Sequence, residues 1–283
     1  LAAVPAREKS PERTDHSNLI VVNNLSVYFS GNKGEADVKA VDDISLSIKR
    51  HEILGLVGES GSGKSTCGRA IIRLLKLTKG KILFDGSDIS QHSMSEMKPL
   101  RRQMQMIFQD PYASLNPRMS VYDTLAEPLL LHKIVSKKGL DKEVFSLMDS
   151  VGLARESVLR YPHEFSGGQR QRIAIGRAIA TKPSFIVADE PVSALDVTIQ
   201  AQILDLLLQL VDHFNLTMLF ISHDLGVVRY LSDRVLVMKD GKLIEEGAVH
   251  QIFTAPQKSY TKALLDAIPG KSLLGVAQDN SSA

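Results

Sequence analysis

Hydrophobic and polar positions along the chain follow two rhythms. Residues 19–29 and 38–48 have strand character, the second with Val41, Ile44, Leu46 and Ile48 as its apolar set. Residues 53–57 are a short apolar run that opens into a glycine cluster, and residues 64–75 continue with helical character. Residues 81–84 end at Asp85-Gly86, a pair that predicts a hairpin turn. From Pro111 to Glu164 the pattern changes: Leu125, Leu129, Leu130 and Val144, Leu147, Met148, Val151 recur at helical spacing, with no convincing strand. Strand–helix alternation returns with a strand over 185–188, a helix over 197–211 and strands over 218–221 and 235–238. Asp240-Gly241 then turns the chain into residues 243–244. This order predicts an α/β fold: a mostly parallel sheet core covered on both faces, an antiparallel β portion and an inserted helical subdomain over about 111–180. Residues 1–18, rich in Pro, Ser and charge, read as a linker, 19–269 as the domain and 270–283 as a tail.

Composition narrows the function classes. Lys and Arg total 34 against 32 for Asp and Glu, too balanced for a general nucleic-acid binder. Aromatic residues make up 5% with no Trp, so stacking platforms for single strands are scarce. The longest run without a charged residue, 16–32, is full of Asn and Ser and falls short of a bilayer span. The single cysteine, Cys67, excludes an internal disulfide framework and any four-cysteine cluster, and reads as a small packing residue. These features predict a cytosolic chain that does not cross a membrane by itself. It begins at Leu1 without an initiator Met, which suggests a processed product, a trimmed chain or a piece of a longer one.

The densest chemistry lies at Gly58-Glu59-Ser60-Gly61-Ser62-Gly63-Lys64-Ser65, followed by Thr66. A strand before it and a helix after it complete the phosphate-binding P-loop pattern, in which small residues let backbone N–H groups converge on phosphate oxygens. Lys64 is placed to reach the β- and γ-phosphates and Ser65 to coordinate Mg²⁺. The apolar strand 185–188 ends in two carboxylates: Asp189 can hold Mg²⁺, and Glu190 can orient or deprotonate a water. Gln109 follows the apolar strand Met106-Ile107-Phe108, where its amide can touch Mg²⁺ or the lytic water. Ser166-Gly167-Gly168-Gln169 precedes a helix-like stretch and can form a second anion site, and His223 ends a strand with a ring able to contact a γ-phosphate.

Taken in order, the P-loop, Gln109, Ser-Gly-Gly-Gln, Asp189-Glu190, Ser193-Ala194-Leu195-Asp196 and His223 resemble the nucleotide-binding subunit of ABC transporters, over about residues 19–269. The resemblance implies a head-to-tail pair of such domains with two ATP molecules sandwiched between them. Ser166, Gly167, Gly168 and Gln169 would then serve the partner's nucleotide, and Asp196 would couple the two sites. It also implies an aromatic ring stacked on adenine upstream of the P-loop: Phe29 fits by its distance from Asn24-Leu25, with Tyr28 the alternative. The helical insertion would face two membrane-spanning permease subunits, fed by a separate solute-binding protein, with the chain peripheral on the cytoplasmic face of the membrane.

Residues 108–117, Phe-Gln-Asp-Pro-Tyr-Ala-Ser-Leu-Asn-Pro, and the run from Tyr161 to Phe165 are similar to the oligopeptide/dipeptide importer branch, near glutathione and nickel importers. So is the tail from Pro256 through Tyr260 and Thr261 to Pro269. Phe165, Val192 and Lys258-Ser259 depart mildly from the pattern, and the tail lacks the cysteines that carry an iron–sulfur cluster in some members. Leu1-Ala2-Ala3-Val4-Pro5 resembles Leu265-Asp266-Ala267-Ile268-Pro269, which suggests the second half of a tandem fusion. Two other readings fare worse. An ABC ATPase of the DNA-repair type would carry a long coiled coil between Gln109 and Ser166, and a translation type would carry basic arms. A GTPase would show Asn-Lys-x-Asp after the P-loop, and none is present.

Overall fold

The computed structural model describes residues 17–31 and 37–267. The repeat at Leu1–Pro5, nearly all of the expected linker and the tail over 270–283 lie outside them. The chain runs β1 (Asn18–Phe29), β2 (Val38–Lys49), β3 (Ile53–Val57), α1 (Lys64–Ile71), β4 (Lys79–Phe84), β5 (Ser87–Asp88), α2 (Met94–Leu100) and β6 (Met104–Ile107). Four helices follow without a strand: α3 (Pro111–Ser114), α4 (Val121–Leu131), α5 (Leu140–Ser150) and α6 (Gly167–Ile179). The last part comprises β7 (Phe185–Asp189), α7 (Val197–Phe214), β8 (Thr217–Ser222), α8 (Leu225–Leu231), β9 (Arg234–Lys239), β10 (Lys242–Ala248), α9 (Val249–Thr254) and α10 (Ser259–Asp266).

Two sheets form. The larger has the order β10-β9-β3-β8-β7-β6, parallel from β9 to β6 with β10 antiparallel at its edge; the smaller, β2-β1-β4-β5, is antiparallel. All five residues of β3 and of β7 are buried, as expected of strands covered on both faces. Successive side chains feed opposite cores. Ile53, Val57, Ile186, Ala188, Met218 and Phe220 join the helices α4 to α8, whereas Leu54, Leu56, Val187, Leu219 and Ile221 join α1 and the antiparallel sheet. Gly68 lets α1 lie close on that face, because a Cβ there would come within 2.7 Å of Ile221 and 2.9 Å of Val187.

Some boundaries differ from the pattern. The helix expected over 64–75 stops at Ile71, since Arg73 takes a left-handed φ of 57° and Leu74 is exposed rather than packed. Asn18 belongs to β1, and Phe108 lies beyond β6. The three-residue gap between Val41 and Ile44 is a bulge: Asp43 has φ 59°, Asn24 on the neighbouring β1 has φ 50°, and Asn24 Nδ2 donates to Asp43 Oδ1 at 2.9 Å. Both Asp-Gly turns form two-residue hairpins with positive φ at each residue, at Asp85-Gly86 and at Asp240-Gly241.

Candidate functional site

The carboxyl ends of four parallel strands converge on one cavity. The P-loop leaves β3, Asp189 and Glu190 end β7, His223 follows β8, and Gln109 lies just past β6. Ligands bind at this edge of open parallel sheets, where loops leave the strand tips. The cavity measures about 860 Å³ and is lined by P-loop residues with Gln109, Glu190 and His223, and by Lys39, Ala40 and Gly241.

The P-loop conformation depends on glycine, as Gly63 shows. Gly63 has φ +100°, and a Cβ there would sit 2.0 Å from the Ala40 carbonyl oxygen. It also stands at the N-cap of α1 and offers no side chain to cap it, so the first-turn N–H groups face the cavity rather than a Ser or Asp oxygen. Lys64 Nζ donates to the carbonyls of Gly58 and Glu59, each at 2.8 Å, and to Ser62 Oγ at 3.5 Å. Burial pushes the Lys64 ammonium below its ordinary pKa, and the charges of Glu190 and Asp189 oppose that shift. The loop is therefore a cradle of N–H groups with a fixed cation at its centre.

The two carboxylates diverge. Asp189 is fully buried; Ser65 Oγ donates to its Oδ1 at 2.6 Å, and Arg69 reaches its Oδ2 at 3.3 Å. Glu190 leaves the strand with φ 46°, a left-handed conformation that costs a non-glycine residue free energy and turns the side chain out of the ladder. Its Oε2 accepts from Gln109 Nε2 at 3.3 Å and lies 3.0 Å from His223 Nδ1. One carboxylate thus faces the helix that carries Ser65, and the other faces the open cavity.

Not every expected site residue borders this cavity. Ser166 caps α6 in a capping box, accepting the Gln169 N–H at 3.3 Å while Gln169 Oε1 accepts the Ser166 N–H at 3.0 Å. Gly168 packs under Ile199, where a Cβ would meet Cγ2 at 2.5 Å, and Asp196 caps α7 through the Ile199 N–H at 3.1 Å. These residues lie outside the cavity lining; Ser166, Gly167, Gln169 and Asp196 are exposed, and Gly168 is buried. Tyr28 and Phe29 also stand outside it. The Tyr28 hydroxyl donates to Asp42 at 2.5 Å, which holds the Asp42 carboxyl below its usual range, while Phe29 is exposed.

Three contributors escaped the sequence reading. Arg69 sits one turn beyond Ser65 on α1, an i,i+4 spacing that puts both side chains on one face. Gly241 of the hairpin turn donates its N–H to the Ser62 carbonyl at 3.0 Å. Tyr260 of α10 accepts the Glu59 N–H at 3.3 Å. The last two contacts join positions far apart in sequence, and no local pattern signals them.

Comparison with known proteins places the chain in a family. The ABC transporter family profile matches residues 41–193. The chain is 53% identical over 253 residues to the oligopeptide transport ATP-binding protein OppF of Bacillus subtilis, covering 89% of this chain and 82% of that one. The chain belongs to the ABC transporter family. It is also 51% identical over 257 residues to OppF of Streptococcus mutans, covering 90% of this chain and 83% of that one. Among solved structures, a dimeric ATP-binding cassette in a post-hydrolysis state, bound to ADP and Pi, matches with a TM-score of 0.74 and 29% identity, covering 81% of this chain and 98% of that one. The chain is accordingly an ABC ATPase, and its fold is that of an ATP-binding cassette.

Proposed function

We propose that this ATPase powers import of peptides or related small solutes, working from the cytoplasmic face of a membrane with two permease subunits and a separate solute-binding protein. A second ATP-binding domain, on its own chain or fused, completes the two nucleotide sites. The observation that carries the chemical part is the position of Glu190: its carboxylate is turned into the cavity and flanked by Gln109 and His223, with Lys64 and Ser65 lining the same space. ATP would lie with its phosphates on the N–H groups of residues 61–66 and its γ-phosphate toward Lys64 and His223. Glu190 then polarises the water that attacks in line, and positioning with charge neutralisation does the rest.

Mg²⁺ fits the residues present. The Asp189 carboxylate is fully buried outside the cavity lining and accepts from the Ser65 hydroxyl, which makes a hard-oxygen pair, while Ser65 and Gln109 line the cavity itself. When bound there it supplies charge neutralisation at the phosphate oxygens. Ser65, Asp189 and Gln109 would hold it, while Lys64 adds its own charge and Glu190 keeps its oxygen free for water.

The adenine would stack on Phe29, which is exposed, while the Tyr28 ring is tied through its hydroxyl to Asp42 and lies under Lys39. Ser166, Gly167, Gly168, Gln169 and Asp196 would act on the nucleotide held by the partner domain, since they lie outside this chain's own cavity and all but the buried Gly168 are exposed. Exposed Tyr112, Leu130, Leu131, Leu159 and Tyr161 on the helical insertion supply apolar surface for the permeases. No helix among the described residues is long and apolar enough to cross a membrane. The decisive experiment is reconstitution with both permeases, the solute-binding protein and the second ATPase domain. ATP hydrolysis stimulated by di- or oligopeptides supports the proposal; stimulation by metal chelates alone, or by none of the solutes, overturns the peptide assignment.

A further inference from the structure

The P-loop is gripped by a part of the chain that carries none of the nucleotide motifs. Tyr260, the second residue of α10, accepts the Glu59 N–H at 3.3 Å, and Leu264, one turn on, lines the cavity with Glu59 and Ser60. The β9–β10 hairpin holds α10 there. Lys239 of β9 places Nζ 4.7 Å from the centre of the Tyr260 ring. Glu245 of β10 accepts the N–H groups of Gln257 and Lys258 at 2.6 and 3.1 Å, fixing the chain just ahead of the helix. The same hairpin also holds the far side of the loop, through the Gly241 N–H to the Ser62 carbonyl at 3.0 Å.

Residues 58–62 are therefore pinned at three points: Lys64 binds their carbonyls, Gly241 takes Ser62, and Tyr260 takes Glu59. Glu59 and Ser60 are exposed, so without the tyrosine hydroxyl the Glu59 N–H would face water. A loop whose N–H groups must converge on phosphates binds more tightly when it is ordered beforehand, because the ordering entropy no longer opposes binding.

We infer that Tyr260 is a positioning residue for ATP: its hydroxyl holds the first turn of the P-loop in the phosphate-receiving conformation, so that nucleotide binding and docking of α10 reinforce each other. This rests on the reading of the cavity as the ATP site. ATP and ADP share the phosphates that this loop cradles, so both gain from the contact. Linkage makes the effect mutual, and bound nucleotide must protect α10 in turn.

The test is nucleotide titration of the full chain and of Tyr260→Phe, which keeps the ring against Lys239 and removes only the hydroxyl. The dissociation constants for ATP and ADP should rise about threefold to tenfold, the range that one net hydrogen bond represents. In the assembled transporter the KM for ATP should rise alike, with kcat within about twofold of the unsubstituted protein. Amide exchange at residues 59–61 should quicken without nucleotide, and in the unsubstituted chain ATP should slow exchange across α10. Unchanged affinity for both nucleotides, or a fall in kcat at constant KM, overturns the inference. Lys64→Ala separates it from the underlying reading. Unsubstituted affinity in that variant removes the ATP site itself, whereas lost affinity there, with unchanged affinity in Tyr260→Phe, removes only the role of Tyr260.

Discussion

Glu190 Oε2 lies 3.0 Å from His223 Nδ1, and the backbone that brings it there is left-handed at φ 46°. In the proposed mechanism this carboxylate, held in a costly conformation and flanked by an imidazole and an amide, orients water rather than supporting the fold. Glu190→Gln keeps the shape and removes the base. ATP turnover of the assembled transporter should drop about 10²- to 10⁴-fold, the usual contribution of a general base, while ATP affinity stays. His223→Ala should lower kcat as well. Steady-state hydrolysis with parallel binding titrations checks both, and undiminished turnover by Glu190→Gln contradicts the assignment.

Arg69 reaches the fully buried Asp189 from a half-exposed position. Solvent screens the arginine end, so the pair contributes less than a buried one, on the order of 1 kcal/mol. Arg69→Met should lower the melting temperature of the nucleotide-free chain by about 2–4 °C. Asp189→Asn should instead abolish the Mg²⁺ dependence of ATP binding, measured by titration with and without chelator. If Asp189→Asn binds Mg²⁺-ATP as well as the unsubstituted chain does, Asp189 is not the metal carboxylate.

Gly61 and Gly63 separate two causes of glycine dependence. Both have positive φ, +80° and +100°, but a Cβ at Gly61 meets nothing within 4 Å, while one at Gly63 strikes the Ala40 carbonyl oxygen at 2.0 Å. Gly61→Ala should cost only the left-handed penalty, about 1–2 kcal/mol. Gly63→Ala must also move the backbone of β2 away from the loop, so its cost should exceed that of Gly61→Ala, and it should lose ATP binding. Chemical denaturation of the two variants side by side decides this; equal destabilisation would show that the clash is relieved elsewhere.

Cys67 lies at the centre of α1 with its thiol buried, and burial pushes its pKa up to about 12 from 9.0. The folded chain keeps that proton where the unfolded chain loses it, so between about pH 9 and 12 the unfolded state binds fewer protons. Stability from this group therefore falls as pH rises through that window, by up to about 1.4 kcal/mol per pH unit. Stability curves for the chain and for Cys67→Ala should converge above pH 9. Thiol reagents at pH 8 should label Cys67 only on unfolding, and rapid labelling of the native chain would place the thiol at the surface.

What could be read from sequence was what short-range chemistry dictates. The P-loop, the strand ending in Asp189-Glu190 and both Asp-Gly hairpins declare themselves because each needs particular residues at adjacent positions. The short end of α1 was hidden because Leu74 and Leu75 continue its apolar pattern while Arg73 breaks the helix by conformation alone. Ser65 and Arg69 share a helix face, yet the spacing acquires meaning only once β7 brings Asp189 beneath it. Tyr260 and Gly241 are further still from local logic: their contacts to the P-loop exist because β9 and β10 follow β3 across the sheet.

Ser166 caps a helix and is proposed to serve a partner's nucleotide, two roles that experiment can pull apart. In this chain its hydroxyl accepts the Gln169 N–H at 3.3 Å and closes the capping box of α6. Losing a cap of this kind costs about 1 kcal/mol, so Ser166→Ala should lower stability modestly. Ser166 lies outside the cavity built around Lys64, so ATP binding to the isolated chain should not change. If Ser166 also donates to the nucleotide of a partner domain, hydrolysis in the assembled transporter should fall far more than the lost cap explains. Ser166→Asp keeps a good capping oxygen but brings a negative charge toward the partner's phosphates, so it should restore stability and leave hydrolysis lost. Melting curves, ATP titration and coupled hydrolysis on both variants read the two roles separately, and recovery of hydrolysis in Ser166→Asp would reduce Ser166 to a helix cap.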